Sequence, residues 1–222
     1  MRAIIMADGN GDRWLSSVGG TKFEGIPKQL IKFHDKTLLK RTVSLLNAHG
    51  VYDIWITSHN PQMEVPGARR YEPENNTHCL DKLHACKPIW GNAWGGTAFL
   101  YGDVVYSSDA IYKIITTQVK DRFLFFGRMH ISYYSNHYHE IFCKKIEDFE
   151  YLEECINWIK TYEPSYGGGW ELYRRMCGVE LDQIREHRPY DHFITVDDYT
   201  DDFDDYSHYI EWNNYWKWDS EI

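Results

Sequence analysis

Apolar residues fall along the chain in short blocks whose spacing switches between periods suited to strands and to helices. Arg2 to Ala7 is an apolar run that stops at Asp8-Gly9-Asn10-Gly11, the pattern of a buried strand entering a glycine turn. A loop follows, with Gly19, Gly20 and Gly25, and Pro27 closes it. From Lys36 the period becomes helical: Leu38, Leu39, Thr42, Leu45, Leu46 and Ala48 recur at steps of three and four, and Gly50 stands at the C′ position. Asp53 to Thr57 reads as a second strand, so the first sixty residues predict a parallel β–loop–α–β unit. Further on, the pattern predicts strands over 68–71, 97–101, 123–126, 140–146 and 193–196. It predicts helices over 81–86, 107–119 (capped by Ser107 or Ser108), 147–162, 170–177 and 206–218. Strands alternating with helices along 1–222, with no repeat or low-complexity linker, predict one α/β domain. Its architecture is a three-layer α/β/α sandwich on a mixed, mainly parallel sheet.

Composition narrows the class. With 43% apolar and 16% aromatic residues the chain has enough core to fold, and no apolar run reaches the ~20 residues of a membrane span. Five cysteines, odd in number and without C-x-x-C spacing, read as reduced structural thiols of a cytoplasmic protein. The net charge of −9 is concentrated: Asp191 to Ile222 holds ten acidic residues and one basic, and the remainder balances. The first fifty residues are locally basic, with eight Lys/Arg against four acids. This distribution excludes a generic duplex-DNA binder, and no nucleic-acid or membrane partner is expected. It points instead to an anion site in the basic segment, and most of the acidic tail reads as a solvated run.

The opening carries the chemistry. Glycines after a buried strand let backbone N–H groups approach a polyphosphate, and Arg13, two residues past Gly11, can grip phosphate oxygens in a fork. Lys28, after Pro27, adds a point-like cation. A Walker A loop needs G-K-[ST], and Gly20-Thr21-Lys22 has the wrong order. A dinucleotide fingerprint needs a third glycine near Trp14.

At these residues the sequence resembles the nucleotidyltransferases that activate sugar phosphates and related phosphates, whose first loop reads approximately A-G-G-x-G-x-R, followed by P-K. Here the loop is Ala7-Asp8-Gly9-Asn10-Gly11-Asp12-Arg13 with Pro27-Lys28 downstream, and Asp8 departs from the usual Gly or Ala. The Pro27-Lys28-Gln29-Leu30 form is most similar to the cytidylyltransferases acting on polyol phosphates. Gly96-Thr97-Ala98 and Gly102-Asp103 resemble the family's G-T-A segment and metal-holding G-D. Asp202-Phe203-Asp204-Asp205 resembles the late segment that supplies the second metal ligand. The resemblance implies a Rossmann-like fold of the nucleotide-diphospho-sugar transferase (GT-A) type. It implies Ala7, Asp8, Gly9, Asn10, Gly11, Arg13, Gly96 and Thr97 at the nucleotide, and Arg13 and Lys28 as catalytic cations. Asp103 and Asp204 would hold Mg²⁺, which Mn²⁺ can replace, with Asp202 and Asp205 as alternatives to Asp204. The implied substrates are an NTP, CTP or UTP ahead of the purines, and a phosphorylated sugar or polyol; a homodimer is the candidate assembly. A glycosyltransferase of the related fold and a non-catalytic nucleotide-binding regulator are the alternatives.

Four other features are weighed with these. Arg128, following Phe126-Gly127 at a strand end, is a candidate for the acceptor's phosphate, and Glu140 joins it as an acceptor-site candidate. Gly167-Gly168-Gly169 before Trp170 reads equally as a mobile lip over the acceptor, with Trp170 at the acceptor site, or as a plain linker. His137 and His139 share a strand face but lack a third metal ligand, and the stripe Tyr206, Tyr209, Trp212, Trp216 reads as a buried helix face.

Overall fold

The structure, a computed structural model, describes residues 1–9, 11–33, 35–74, 78–91, 95–132, 138–163, 168–179 and 190–215. The N-terminal apolar run forms strand β1 (Arg2–Met6), with Ala3, Ile4 and Ile5 inaccessible to solvent. There follow α1 (Asp12–Ser17), a 3₁₀ turn (Lys28–Leu30), a small hairpin of β2 (Lys32–Phe33) and β3 (Lys36–Thr37), α2 (Leu38–Ala48), β4 (Ile54–Thr57) and β5 (Arg69–Tyr71). Next come α3 (Cys79–Ala85), β6 (Thr97–Tyr101), β7 (Val104–Val105), α4 (Ser108–Thr116), β8 (Phe123–Ile131) and β9 (Tyr138–Ile146). The last elements are α5 (Phe149–Tyr162), α6 (Gly169–Met176), β10 (Phe193–Thr195), β11 (Asp201–Asp202) and α7 (Tyr206–Tyr215).

Seven strands form one sheet in the order β10-β8-β9-β6-β1-β4-β5. Only β9 runs against its neighbours, and every other pairing in this sheet is parallel. The predicted βαβ unit is present, with Ala3 opposite Ile54 and α2 as the crossover. Thr37 caps α2 by accepting from Lys40 N, and Gly50, at φ 82°, takes the left-handed conformation a C′ glycine allows. Strand alternation then sorts the core. Ala3, Ile5, Ala98 and Leu100 face Leu39, Val43 and Leu46 of α2 and Ile111 and Ile114 of α4. Ile4, Phe99 and Phe125 face Leu83 of α3, Ile156 of α5 and Leu172 of α6 on the other side. Two helical layers on one sheet are the predicted sandwich.

A third cluster lies beyond the sheet. Tyr209 and Trp212 of α7 pack with Trp14 of α1 and with Phe23, Phe33 and Phe203, and Trp212 is fully buried. The aromatic stripe is therefore core, as its spacing predicts; Trp216 lies outside the described residues. Residues 12–17 correct the expectation of a loop: they form α1, which buries Trp14. Strand β8 also corrects a boundary. It continues past Gly127, where a bulge brings the Glu140 carbonyl within 2.0 Å of the position a Cβ would take, and runs to Ile131. No helix among the described residues is long and apolar enough to cross a membrane.

Candidate active site

The candidate residues gather where β1 and β6 end side by side. Met6 is paired with Tyr101, and the Gly102 N–H donates to the Met6 carbonyl at 2.9 Å. A Cβ on Gly102 would lie 2.9 Å from both the Ala7 Cβ and that carbonyl, so only glycine lets the chain turn tightly enough to bring Asp103 beside the loop after β1. Gly11, at φ 66°, makes the second sharp turn and starts α1.

The late acidic segment reaches the same place by a two-residue ladder, Asp201 opposite Val105 and Asp202 opposite Val104. Three further ties hold it. Ser107 caps α4 and donates to the Asp198 carboxylate at 2.6 Å, the Ser107 N–H donates to Thr200 Oγ1, and Arg128 pairs with Asp201. Asp201 and Thr200 are buried. The expectation of a mainly solvated acidic run is thus corrected for this stretch, whose carboxylates are held by cations and hydroxyls of the core.

The result is a cleft of about 370 Å³ lined by Gly9, Gly11, Arg13, Lys28, Asp103 and Asp204, with Asp12, Trp14, Gln29 and Lys82 completing it. Lys28 Nζ lies 3.0 Å from Asp103 Oδ2 and 3.9 Å from Asp204 Oδ1, and Arg13 donates to Asp204 Oδ2 at 2.5 Å. The Lys28 ammonium also lies over the Phe203 ring. Burial pulls the Lys28 pKa down, but the charges of Asp103, Asp202 and Asp204 outweigh it and hold the ammonium above its ordinary value. Burial likewise works against the Asp103 carboxylate, and the Lys28 charge and hydrogen bond overcome this and keep its pKa low.

Two carboxyl groups beside this pair behave oppositely. Burial, with Glu140, Asp103 and Asp204 nearby, pushes Asp202 well above the carboxylate range despite Lys28. Burial and the Asp201 charge push Glu140 up to about 7. A carboxyl whose folded pKa is raised favours folding below its unfolded value, near 4.5, and that contribution is lost as pH rises through about 7. In buffer free of divalent cations, Glu140→Gln should therefore flatten the pH dependence of stability. Urea unfolding at pH 5 and pH 8 should show wild type losing up to ~3 kcal/mol more than the variant. Equal losses would remove Glu140 from this cluster.

Asp103 and Asp204 form an acceptor-only pair facing one cation position. That suits Mg²⁺, which takes one or two carboxylates and completes its shell with phosphate oxygens and water. No group of three or more His, Cys, Asp or Glu among the described residues is arranged to hold a metal by itself.

The other sequence candidates are placed differently. Asp8 turns away from the cleft: its two oxygens accept from the His59 N–H and pair with His59 Nδ1, both at 2.8 Å, bracing the loop after β1 against the loop after β4. Ala7 is buried in the core, and Asn10 and His137 lie outside the described residues. Gly96 and Thr97 are corrected. Thr97 begins β6 opposite Arg2 and Gly96 precedes it, so the length of the strand, about 13 Å, separates them from Asp103. Gly96 is glycine because a Cβ there would lie 2.5 Å from the Ile146 carbonyl, and the Thr97 hydroxyl donates to Gly91 O.

Arg128 is corrected as well. It lies inside β8, is 1% exposed, and its charge is taken up by Asp201. Glu140, its partner in β9, does not line the cleft. Trp170 is no lip: its indole N–H donates to the His139 carbonyl at 2.6 Å and its ring stacks on Phe193. Gly168 precedes α6, Gly169 begins it where a Cβ would meet the Tyr101 hydroxyl at 2.6 Å, and Gly167 lies outside the described residues. Lys82 and the buried Asp201 are not readable as site residues from sequence, since each owes its place to tertiary packing, whereas Asp202 is one of the sequence's alternatives to Asp204.

No protein-family model matches the chain. No curated protein matches it at the level of sequence. Solved structures do. CTP:phosphocholine cytidylyltransferase from Streptococcus pneumoniae is 15% identical with a TM-score of 0.56, over 96% of this chain and 98% of that one. A putative glucose-1-phosphate thymidylyltransferase from Bacillus anthracis is 14% identical with a TM-score of 0.55, over 97% and 94%. Rv0371c from Mycobacterium tuberculosis is 14% identical with a TM-score of 0.58, over 95% of each chain. With its mixed seven-stranded sheet between two helical layers, the chain has the α/β, Rossmann-like fold of the nucleotidyltransferases.

Proposed function

We propose that the chain transfers a nucleoside monophosphate from an NTP to a phosphate monoester, releasing pyrophosphate. The observation that carries this reading is the meeting of Asp103 and Asp204, from distant parts of the chain, at Lys28 in a cleft floored by Gly9 and Gly11. In the reaction an oxygen of the acceptor's phosphate attacks the α-phosphorus, the bond from that phosphorus to the bridging oxygen breaks, and its electrons leave on pyrophosphate. Both reactants are anions, so the site must neutralise charge and fix geometry; the attacking oxygen already carries its electron pair and needs no general base.

The chain's residues divide that work. Gly9 and Gly11 leave room for phosphate oxygens against the backbone. Arg13 holds the departing β- and γ-phosphates, and Lys28 stands between the α-phosphate and the attacking group. When Mg²⁺, or Mn²⁺ in its place, is held by Asp103 and Asp204, it supplies further neutralisation of the phosphate oxygens. Asp8 acts indirectly, fixing the loop through His59.

The acceptor is a phosphorylated sugar, polyol or amino alcohol. Support comes from the Pro27-Lys28-Gln29 form and from likeness to proteins whose names specify phosphocholine and glucose 1-phosphate. The test is pyrophosphate release with CTP, UTP, ATP and GTP, each against glucose 1-phosphate, phosphocholine and glycerol 3-phosphate in Mg²⁺. Release with at least one pair, with a pyrimidine nucleotide preferred, is the expected result.

A further inference from the structure

Nucleotidyl transfer brings a second dianion into the cleft, and the structure removes the cation that sequence assigns to it. Arg128 is buried with Asp201. The other cations on the α3, α5 and α6 side of the sheet are engaged too. Arg174 donates to Glu171 at 3.0 Å, and Lys144 is buried behind the Tyr101 hydroxyl, 3.0 Å away. Lys145, on the opposite face, donates to the carbonyls of Ile114, Ile115 and Thr117 at the end of α4.

Lys82 is different. It lies in α3, which packs on the α5 and α6 side of the sheet, and it lines the cleft from there, whereas Arg13 comes from α1 and Lys28 from the 3₁₀ turn after Pro27. Cys79, one turn earlier on the same face of α3, has its sulfur 3.8 Å from the Tyr101 hydroxyl, and Tyr101 leads directly into Gly102 and Asp103. That contact fixes α3 against the strand that carries the metal candidate. Arg13 and Lys28 are each paired with an aspartate, whereas no ion-pair partner of Lys82 stands among the described residues.

We propose that Lys82 receives the phosphate of the acceptor, on the wall facing the triphosphate; this rests on the nucleotidyl-transfer reading. Arg13 and the glycine loop then hold the triphosphate on one side, and Lys82 holds the attacking phosphate on the other. Lys28 and the two aspartates lie between them. Lys82 exchanges no proton in the step: it lowers the repulsion between two anions and orients the attacking oxygen. It is a specificity residue for phosphorylated acceptors over their dephosphorylated counterparts.

Calorimetric binding to wild type, Lys82→Gln and Lys82→Arg tests this. CTP and UTP are titrated first, and inorganic phosphate is then titrated into the nucleotide-saturated protein in Mg²⁺. Nucleotide affinity should stay within about twofold in all three proteins. Phosphate affinity should fall about tenfold or more in Lys82→Gln and recover most of that in Lys82→Arg, the loss expected for one charge-assisted contact. Unchanged phosphate binding in Lys82→Gln overturns the assignment, as does a wild-type nucleotide complex that binds no phosphate. Equal loss of nucleotide and phosphate also overturns it, by placing Lys82 on the triphosphate. A wild type that binds neither CTP nor UTP overturns the transfer reading itself, and the Lys82 assignment with it.

Discussion

Lys28→Met should lower the rate of pyrophosphate release by about 10³-fold, or ~4 kcal/mol of transition-state stabilisation, with a smaller effect on nucleotide affinity. Methionine keeps most of the stem that fills the space beside Phe203, so the loss reports on the charge. In wild type the ammonium is the nearest cation to Asp103 and the second cation at Asp204. Without it the two carboxylates repel, and Asp103 loses the interaction that depresses its pKa. That interaction stabilises the fold above the ordinary carboxylate range and is lost as pH falls, so the variant should show a weaker loss of stability on acidification. Mg²⁺ should also raise its melting temperature more than that of wild type, because the ion then takes over the role of counter-charge. An unchanged rate in Lys28→Met would place the chemistry elsewhere.

Asp201→Ala should be the most damaging single change to the fold. Arg128 and Asp201 are each 1% exposed, Arg128 Nε and Nη2 have no hydrogen-bond partner among the described residues, and Asp201 also accepts from Ser132 at 2.7 Å. Removing the carboxylate leaves an uncompensated guanidinium in the core, at a cost of about 3–5 kcal/mol. Urea unfolding should show this, with a fall in melting temperature of roughly 10 °C. Arg128→Met combined with Asp201→Leu should recover most of the loss, since replacing both partners leaves no orphan charge. The single variant should also lose activity in excess of its stability defect. Asp201 anchors the short strand that carries Asp204 into the cleft, so its removal frees the second carboxylate. A loss below about 1 kcal/mol would contradict this role.

Residues with strong periodicity were legible from sequence alone. β1, α2 and β4 combine an uninterrupted apolar pattern with a cap at Thr37 and a glycine stop at Gly50, so each local signal agrees with the parallel unit that forms. α1 was illegible because six residues between glycine-rich segments bury only Trp14, and its partner surface, α7, comes nearly two hundred residues later. Of the charged residues that line the cleft, Arg13 and Lys28 are legible from the glycine and proline turns before them, and Asp103 and Asp204 through the resemblance of their segments to the nucleotidyltransferases.

Where a motif meets the cleft depends on the direction of its strand. Gly96-Thr97 lies at the start of β6 and Gly102-Asp103 at its end; in a parallel sheet only the carboxyl ends of the strands open onto the crevice, so one strand cannot present both motifs to one ligand. The bulge at Gly127 looks, in sequence, like a strand end, although Arg128 lies inside β8. The raised pKa values of Glu140 and Asp202 depend on the register between β8 and β9 and on the two-residue pairing of β7 with β11, neither of which has a sequence signature. Lys82 is one lysine on a seven-residue helix, and only the packing of α3 against Tyr101 turns it towards the cleft.

In the proposed reaction Asp103 and Asp204 converge to organise nucleotidyl transfer. The most direct measurement is Mg²⁺-dependent pyrophosphate release by wild type and Asp103→Ala, using the nucleotide and phosphorylated acceptor that wild type prefers. Release that EDTA abolishes and that falls about 10³-fold in Asp103→Ala, with the variant still folded, is the predicted result. Release that survives Asp103→Ala at the wild-type rate would contradict it.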